Sequence, residues 1–209
     1  MNISQFFGLL AGLTALITYF FYFRQVLKNH STPNPATWLI WVLVGLINLF
    51  TYLSVTGNNW WQSFIVIAVF FCMSGVFIYS LFMGKLSKLS SVGITSLILA
   101  IIIGIFWKVT SNDRIANLLL QGIYLISYIP TGVGIIKGTV KEHHVAWIIA
   151  FIAYVFSVLS IWTGPKADWI AYAHPVINGL VCNGIIIALL FYKKSKKDNS
   201  RYIDPNSFT

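Results

Sequence analysis

The 209 residues are 57% hydrophobic and 16% aromatic but only 9% charged, whereas ordinary soluble domains carry about 25% charged residues. The formal charge of +9 is spread over short loops between apolar runs and gathered at the C-terminal end, a pattern of membrane orientation that excludes nucleic acid as the partner. This is the composition of an integral membrane protein.

A helix needs about 20 mainly apolar residues to cross the hydrocarbon core. The first such run covers residues 6–27. Met1-Asn2-Ile3-Ser4-Gln5 before it has no basic region, and no obvious cleavage site follows, so it is read as a permanent helix and not a signal peptide. Prolines in Ser31-Thr32-Pro33-Asn34-Pro35 close it. Runs at 37–55 and 60–83 follow, parted by Gly57-Asn58-Asn59, and then one at 92–109 with almost no polar side chains. Residues 115–136, 145–162 and 170–192 complete the set, the last two separated by Thr163-Gly164-Pro165. The runs are too long, and alternate too little, for barrel strands. The predicted fold class is therefore all-α with seven transmembrane helices. Residues 193–209 are polar and basic and are expected to be a disordered tail.

Eleven basic residues fall on one side: Arg24, Lys28, Lys85, Lys88, Lys137, Lys141, Lys193, Lys194, Lys196, Lys197 and Arg201. Lys108, Arg114 and Lys166 fall on the other. The positive-inside rule puts the N-terminus outside and the C-terminus in the cytoplasm, in a plasma or inner membrane.

Shifted by 109 positions, the chain overlays itself without a gap: Trp38 meets Trp147, Trp60 meets Trp169, and Gly75 meets Gly184. Asn48 falls on Ser157, Thr51 on Ser160, and the 57–59 break on Lys166-Ala167-Asp168. A repeated unit of three helices reverses direction each time it is copied, so two parallel copies need one helix between them. The apolar run at 92–109 is that helix, read as a lipid-facing linker. The layout is three plus one plus three: 1–83 and 111–192 are the repeats, 84–110 the linker, and 193–209 the tail.

This layout resembles the PQ-loop superfamily, which includes the SWEET sugar facilitators, cystinosin-like exporters and the KDEL receptor. That family carries a Pro-Gln pair near the cytoplasmic end of the first helix of each repeat. Here each copy keeps half of it: Gln25 in Tyr22-Phe23-Arg24-Gln25, and Pro130 in Tyr128-Ile129-Pro130-Thr131. The resemblance covers about residues 6–192. It implies a solute site near the membrane midplane, with the two bundles rocking about it and Pro130 and Gln25 at the hinges. It also implies that Asn178, in the seventh helix, hydrogen-bonds the solute; bonding to a neighbouring helix is the other reading of the same residue. The position matching Asn178 in the first repeat is Val69, and Ser74, which matches Asn183, is a smaller polar substitute.

Polar groups within the hydrocarbon usually face a bundle interior or a water path. Asn48 and Thr51, with Ser157 and Ser160, recur three residues apart in both copies and mark a shared face. Tyr124, Tyr128, Gln121 and Gln25 add polar tips. His174, beside Pro175, is read first as a structural hydrogen-bonding residue and second as a proton shuttle. Trp38, Trp147, Trp60 and Trp169 are expected in the interfacial belt. No carboxylate falls within a span, so proton coupling through an intramembrane acid is disfavoured. Cys72 and Cys182 read as buried, inert thiols. His143-His144 with Glu142 is too little for a metal site, and no nucleophile–base constellation appears.

The expected function is a transporter of a small, largely uncharged, sugar-like or vitamin- or nucleoside-like solute, not an enzyme, with no cofactor. Its partners are that solute and membrane lipid, with a homo-oligomer left open. The alternative is a non-transporting receptor or assembly protein of the same fold.

Overall fold

A computed structural model describes residues 1–31, 33, 35–83, 91–165 and 168–202, and all of the regular structure among them is helical. The helices are α1 (Ile3–Leu27), α2 (Pro35–Val55), α3 (Trp60–Met83), α4 (Ser91–Thr110), α5 (Asp113–Ser127), α6 (Ile129–Lys137), α7 (His144–Trp162) and α8 (Asn183–Tyr202). A 3₁₀ turn at Trp169–Tyr172 and a π-helical stretch at His174–Cys182 lead into α8. Seven spans are long and apolar enough to cross a membrane, the fifth built from α5 and α6 and the seventh from the two turns with α8. They match the predicted runs to within a few residues. The chain is a seven-helix, multi-pass membrane protein.

Local chemistry sets the helix ends. Asn2 caps α1 through Gln5 N–H while the Gln5 side chain returns to Asn2 N–H, a reciprocal pair that satisfies two of the orphan donors. Asn112 caps α5, His143 caps α7, and Asp168 opens the last span. α6 stops at Gly138, whose φ of +75° is the left-handed conformation that costs glycine least.

Two spans are interrupted. Pro130 has no N–H, so the turn that ends at Tyr128 loses a helical bond and α5 gives way to α6. In the seventh span Pro175 and Gly179 accompany the wider π turns. The Asn183 amide donates to the carbonyls of Asn178 (3.3 Å) and Gly179 (2.6 Å), which such turns leave under-bonded.

α1 packs against α3 and α7 through small residues, Gly8, Ala11, Gly12 and Ala15, the usual route to close helix approach in membranes. A Cβ on Gly12 would lie 2.0 Å from Phe64 Cδ1. α3 also packs on α2, and α2 on α5. The last span packs against α5 and α7. α4 turns Gly93, Ser96, Ala100 and Ile103 inward and leaves Ile94, Ile98, Ile101, Ile102 and Ile105 exposed, as an apolar outer helix should.

Two expectations are corrected. α8 continues to Tyr202, so 193–202 extends the last helix where a disordered tail was expected. A helix already nucleated by an apolar span propagates at low cost. Trp38 and Trp147 are buried, at 5% and 8% exposure, and turn into the bundle where outward-facing rings were expected; Trp60 and Trp169 are exposed helix-end residues, as a belt requires. Lys85, Lys88 and the Lys166-Ala167 part of the repeat break lie outside the described residues, as does the tail from 203 on.

Candidate functional site: an aromatic cavity and a buried amide network

A cavity of about 70 Å³ lies between the helices and is lined from every span except the fourth. Tyr19 and Tyr22 come from α1, Trp38 and Trp41 from α2, Tyr124 from α5, Tyr128 from the α5–α6 break, and Trp147 and Tyr154 from α7. Their rings touch in series. Trp38 meets Trp41 edge-on at 5.0 Å, Trp41 meets Tyr128 at 5.2 Å, and Tyr128 meets Trp147 at 6.0 Å between centroids. Trp41 Nε1 donates to Ser127 Oγ at 2.8 Å, which fixes its ring between α2 and α5. Among the described residues no charged side chain lines the cavity.

Many lining residues are partners at the 109-residue offset. Ala15 and Tyr124, Tyr19 and Tyr128, Trp38 and Trp147, Trp41 and Ala150, and Val69 and Asn178 all line it. Within the Ala15–Tyr124 and Trp41–Ala150 pairs one member is bulky and the other small, so the walls are related in position but unequal in shape.

Asn178 is the polar feature of this wall. Its Nδ2 donates to Tyr154 Oη at 3.2 Å. Its Oδ1 is buried with no hydrogen-bond partner among the described residues, a costly arrangement unless a donor arrives. Gly179, one residue on, lets Tyr154 press against the π segment: a Cβ there would fall 2.2 Å from Tyr154 Cγ.

Beside the cavity lies a network that the spacing of residues within single helices does not reveal. Asn117 Nδ2 donates to Asn48 Oδ1 and Thr51 Oγ1, each at 3.1 Å. Gln121 Nε2 donates to Asn48 Oδ1 (3.2 Å) and to the Asn117 carbonyl (2.8 Å). Gln121 Oε1 then faces His174 Nδ1 at 3.3 Å, so Nδ1 carries the proton and Nε2 is the acceptor. His174 is ringed by Tyr52, Tyr124 and Tyr154 at 5.4–5.7 Å, of which Tyr124 and Tyr154 also wall the cavity. Asn48 Nδ2 and His174 Nε2 have no partner among the described residues.

The sequence candidates therefore separate into groups. Asn178, Tyr124 and Tyr128 line the cavity, while Asn48, Thr51, Gln121 and His174 form the adjoining network. Ser157 is fully buried near the Tyr52 hydroxyl. Ser160 is occupied elsewhere: its Oγ donates to the Ser4 carbonyl (2.8 Å), and Ser4 Oγ donates back to the Ser160 carbonyl (2.7 Å), joining α1 to α7. Ser74 bonds the Phe70 carbonyl of its own helix and does not line the cavity. Gln25 and Pro130 stand at the basic end, where Gln25 Nε2 lies 3.4 Å from His143 Nδ1. Trp41, Tyr154, Asn117 and Glu142 are the residues that sequence reasoning missed. Asn117 had a signal, since it precedes Gln121 by one helical turn in the same span.

A second, smaller cavity of about 50 Å³ lies on the far side of Tyr22, Trp38, Trp41 and Trp147, towards the basic end, with Pro130, Thr131 and Glu142 in its wall. Burial pushes the Glu142 carboxyl up from 4.5 to about 7, although bonds from Trp147, Ser31 and Tyr22 pull the other way. His143 is held below its ordinary value by burial first and then by His144 and His30. At the opposite end Arg114 pairs with Asp168 at 2.8 Å, and Asp113 accepts from Ser54 (2.5 Å) and Trp107 (2.6 Å).

No family model, curated protein or solved structure matches this chain.

Proposed function

We propose that this protein is a transporter that moves a small, largely uncharged, ring-bearing solute by alternating access between two three-helix bundles of PQ-loop type. The observation that carries the reading is the central cavity, walled by paired positions of the two halves and presenting an unpartnered Asn178 Oδ1. The packing supports it: the third span lies against the first and second, and the seventh against the fifth and sixth, so both triples have the same internal order. Parallel repeats place a shared site at their interface.

The walls define the solute. Tyr and Trp faces stack on rings or on the apolar faces of sugars, Asn178 Oδ1 asks for an N–H or O–H donor, and the absence of lining charge suits a neutral molecule. About 70 Å³ is well under the roughly 150 Å³ of a cavity that takes up benzene, so a ring enters only when the bundles part. The amide network beside the cavity would hold the α2–α5–seventh-span contacts in register during that motion.

The test is uptake into proteoliposomes of a panel of hexoses, nucleosides and pyridine-type vitamins. Saturable flux of at least one solute is expected, and Asn178→Ala should lower its affinity about tenfold, the equivalent of one hydrogen bond, with the amount of folded protein unchanged. Binding without flux would favour a receptor of the same fold, and neither binding nor flux across the panel would reject the reading.

A further inference from the structure

We propose that Glu142 is a proton-operated gate on the basic-end side of the central cavity: protonated, it seals α1 to α7, and ionised, it draws in water and lets that side open. The inference rests on reading the cavity as a solute path.

The geometry comes first. Glu142 lies in the short connection before α7, yet its carboxyl turns inward between the two halves. Oε2 accepts from Trp147 Nε1 at 3.2 Å, and Oε1 accepts weakly from Tyr22 Oη at 3.5 Å. Tyr22 belongs to α1 and Trp147 to α7, and both rings are shared by the central cavity and the smaller one. The carboxyl therefore holds together two of the four aromatic residues that the cavities share. Parting Tyr22 from Trp147 opens the α1–α7 side of that wall and extends the path towards the basic end. Asp113 and Asp168 stand at the opposite end of the bundle, where they pair with Ser54, Trp107 and Arg114.

The direction of the switch follows from solvation. Closed, the half-buried carboxyl titrates at about 7; open and hydrated, it should return towards its ordinary value of 4.5. A state with the higher pKa is favoured by protonation. Raising the pH between these two values therefore shifts the balance towards the open form, by up to about tenfold per pH unit, and the effect is complete above about pH 7. The titratable neighbours are Tyr22 on α1, His30 beyond it, and His143 and His144 at the start of α7. Lys28, Lys137, Lys141 and Lys193 are exposed at the helix ends, and α2 faces Glu142 with Thr37, Trp38 and Trp41, which carry no charge. The His30 and His143 rings stack at 5.9 Å, and those of His143 and His144 at 4.5 Å. A positive charge on any of these rings would favour ionised Glu142 and so opposes the gate instead of imitating it.

The experiment needs no solute, so it separates the gate from the transport reading. Spin labels at Leu27→Cys on α1 and Ile136→Cys on α6, both exposed positions, are placed in a Cys72→Ser, Cys182→Ala background in nanodiscs. Distance distributions are then measured from pH 4.5 to 8.5. A longer-distance population should grow up to about pH 7 and level off, Glu142→Gln should hold the short distance throughout, and Glu142→Asp should still respond to pH. A distance independent of pH in the parent overturns the proposal. So does the same pH response in Glu142→Gln, or its loss when His30, His143 and His144 are all changed to Gln with Glu142 intact.

Discussion

Asn117 donates to both Asn48 and Thr51 from a fully buried position, and removing its amide leaves partners that have no water to replace it. Asn117→Ala is expected to cost about 1–3 kcal/mol, between the modest worth of interhelical bonds in membranes and the penalty for stranded polar groups. Thermal unfolding in detergent will measure it, and an unchanged midpoint would mean that the network relaxes freely. Glu142 gives a pH-dependent counterpart. Its folded pKa, about 7, lies above the ordinary value of 4.5, so burying it costs stability that grows as pH rises from 4.5 to 7 and is constant above. Glu142→Gln should therefore raise the unfolding temperature at pH 8 and leave it nearly unchanged at pH 4.5. Both residues show where single-residue reading stopped. A polar side chain in a span announces an inward face, but its partner is set by which helices meet. A carboxylate in a loop, such as Glu142, announces nothing until the loop is seen to fold over the cavity.

At the scale of helices, small residues in α1 and the breaks in the fifth and seventh spans carry the architecture. Gly12 has Phe64 where a side chain would go, so Gly12→Val should overpack the α1–α3 contact and cost about 1–3 kcal/mol. A drop in the yield of monodisperse protein, together with a lower unfolding temperature, would register it; wild-type behaviour would show that Phe64 can swing away. Pro130 entered the sequence reading only as a hinge implied by the resemblance, within a span read as continuous; the break there follows from its missing donor. The π turns of the seventh span were not legible either, since they depend on the Asn183 amide meeting the carbonyls of Asn178 and Gly179 and on Tyr154 pressing against Gly179. The same limit explains Trp38 and Trp147. Indoles at helix ends normally sit at headgroup level, but here both rings turn into the wall of the central cavity.

For the whole molecule, orientation is the property that charge alone argues. A fluorescent protein fused after Thr209 should fluoresce from the cytoplasm, while alkaline phosphatase at the same point should be inactive; the reverse pattern would invert the assignment of the basic end and place Glu142 on the outer side. Seven spans, their helical nature and their limits were determined by the sequence by itself, because apolar length and proline breaks act locally and the hydrocarbon core permits few alternatives. The 109-residue self-overlay pointed to Asn48, Thr51, Ser157 and Ser160 as a shared face, and none of these four lines the central cavity. Only the tertiary structure decided which positions touch. It gathered Trp41, Tyr128 and Trp147 around one cavity, drew Asn48, Asn117, Gln121 and His174 into a single network, and diverted Ser160 to a bond with α1. Contacts between helices depend on side-chain volume at faces far apart in the chain, which differs sharply between offset counterparts such as Ala15 and Tyr124 or Trp41 and Ala150, and no local pattern encodes which face will meet which.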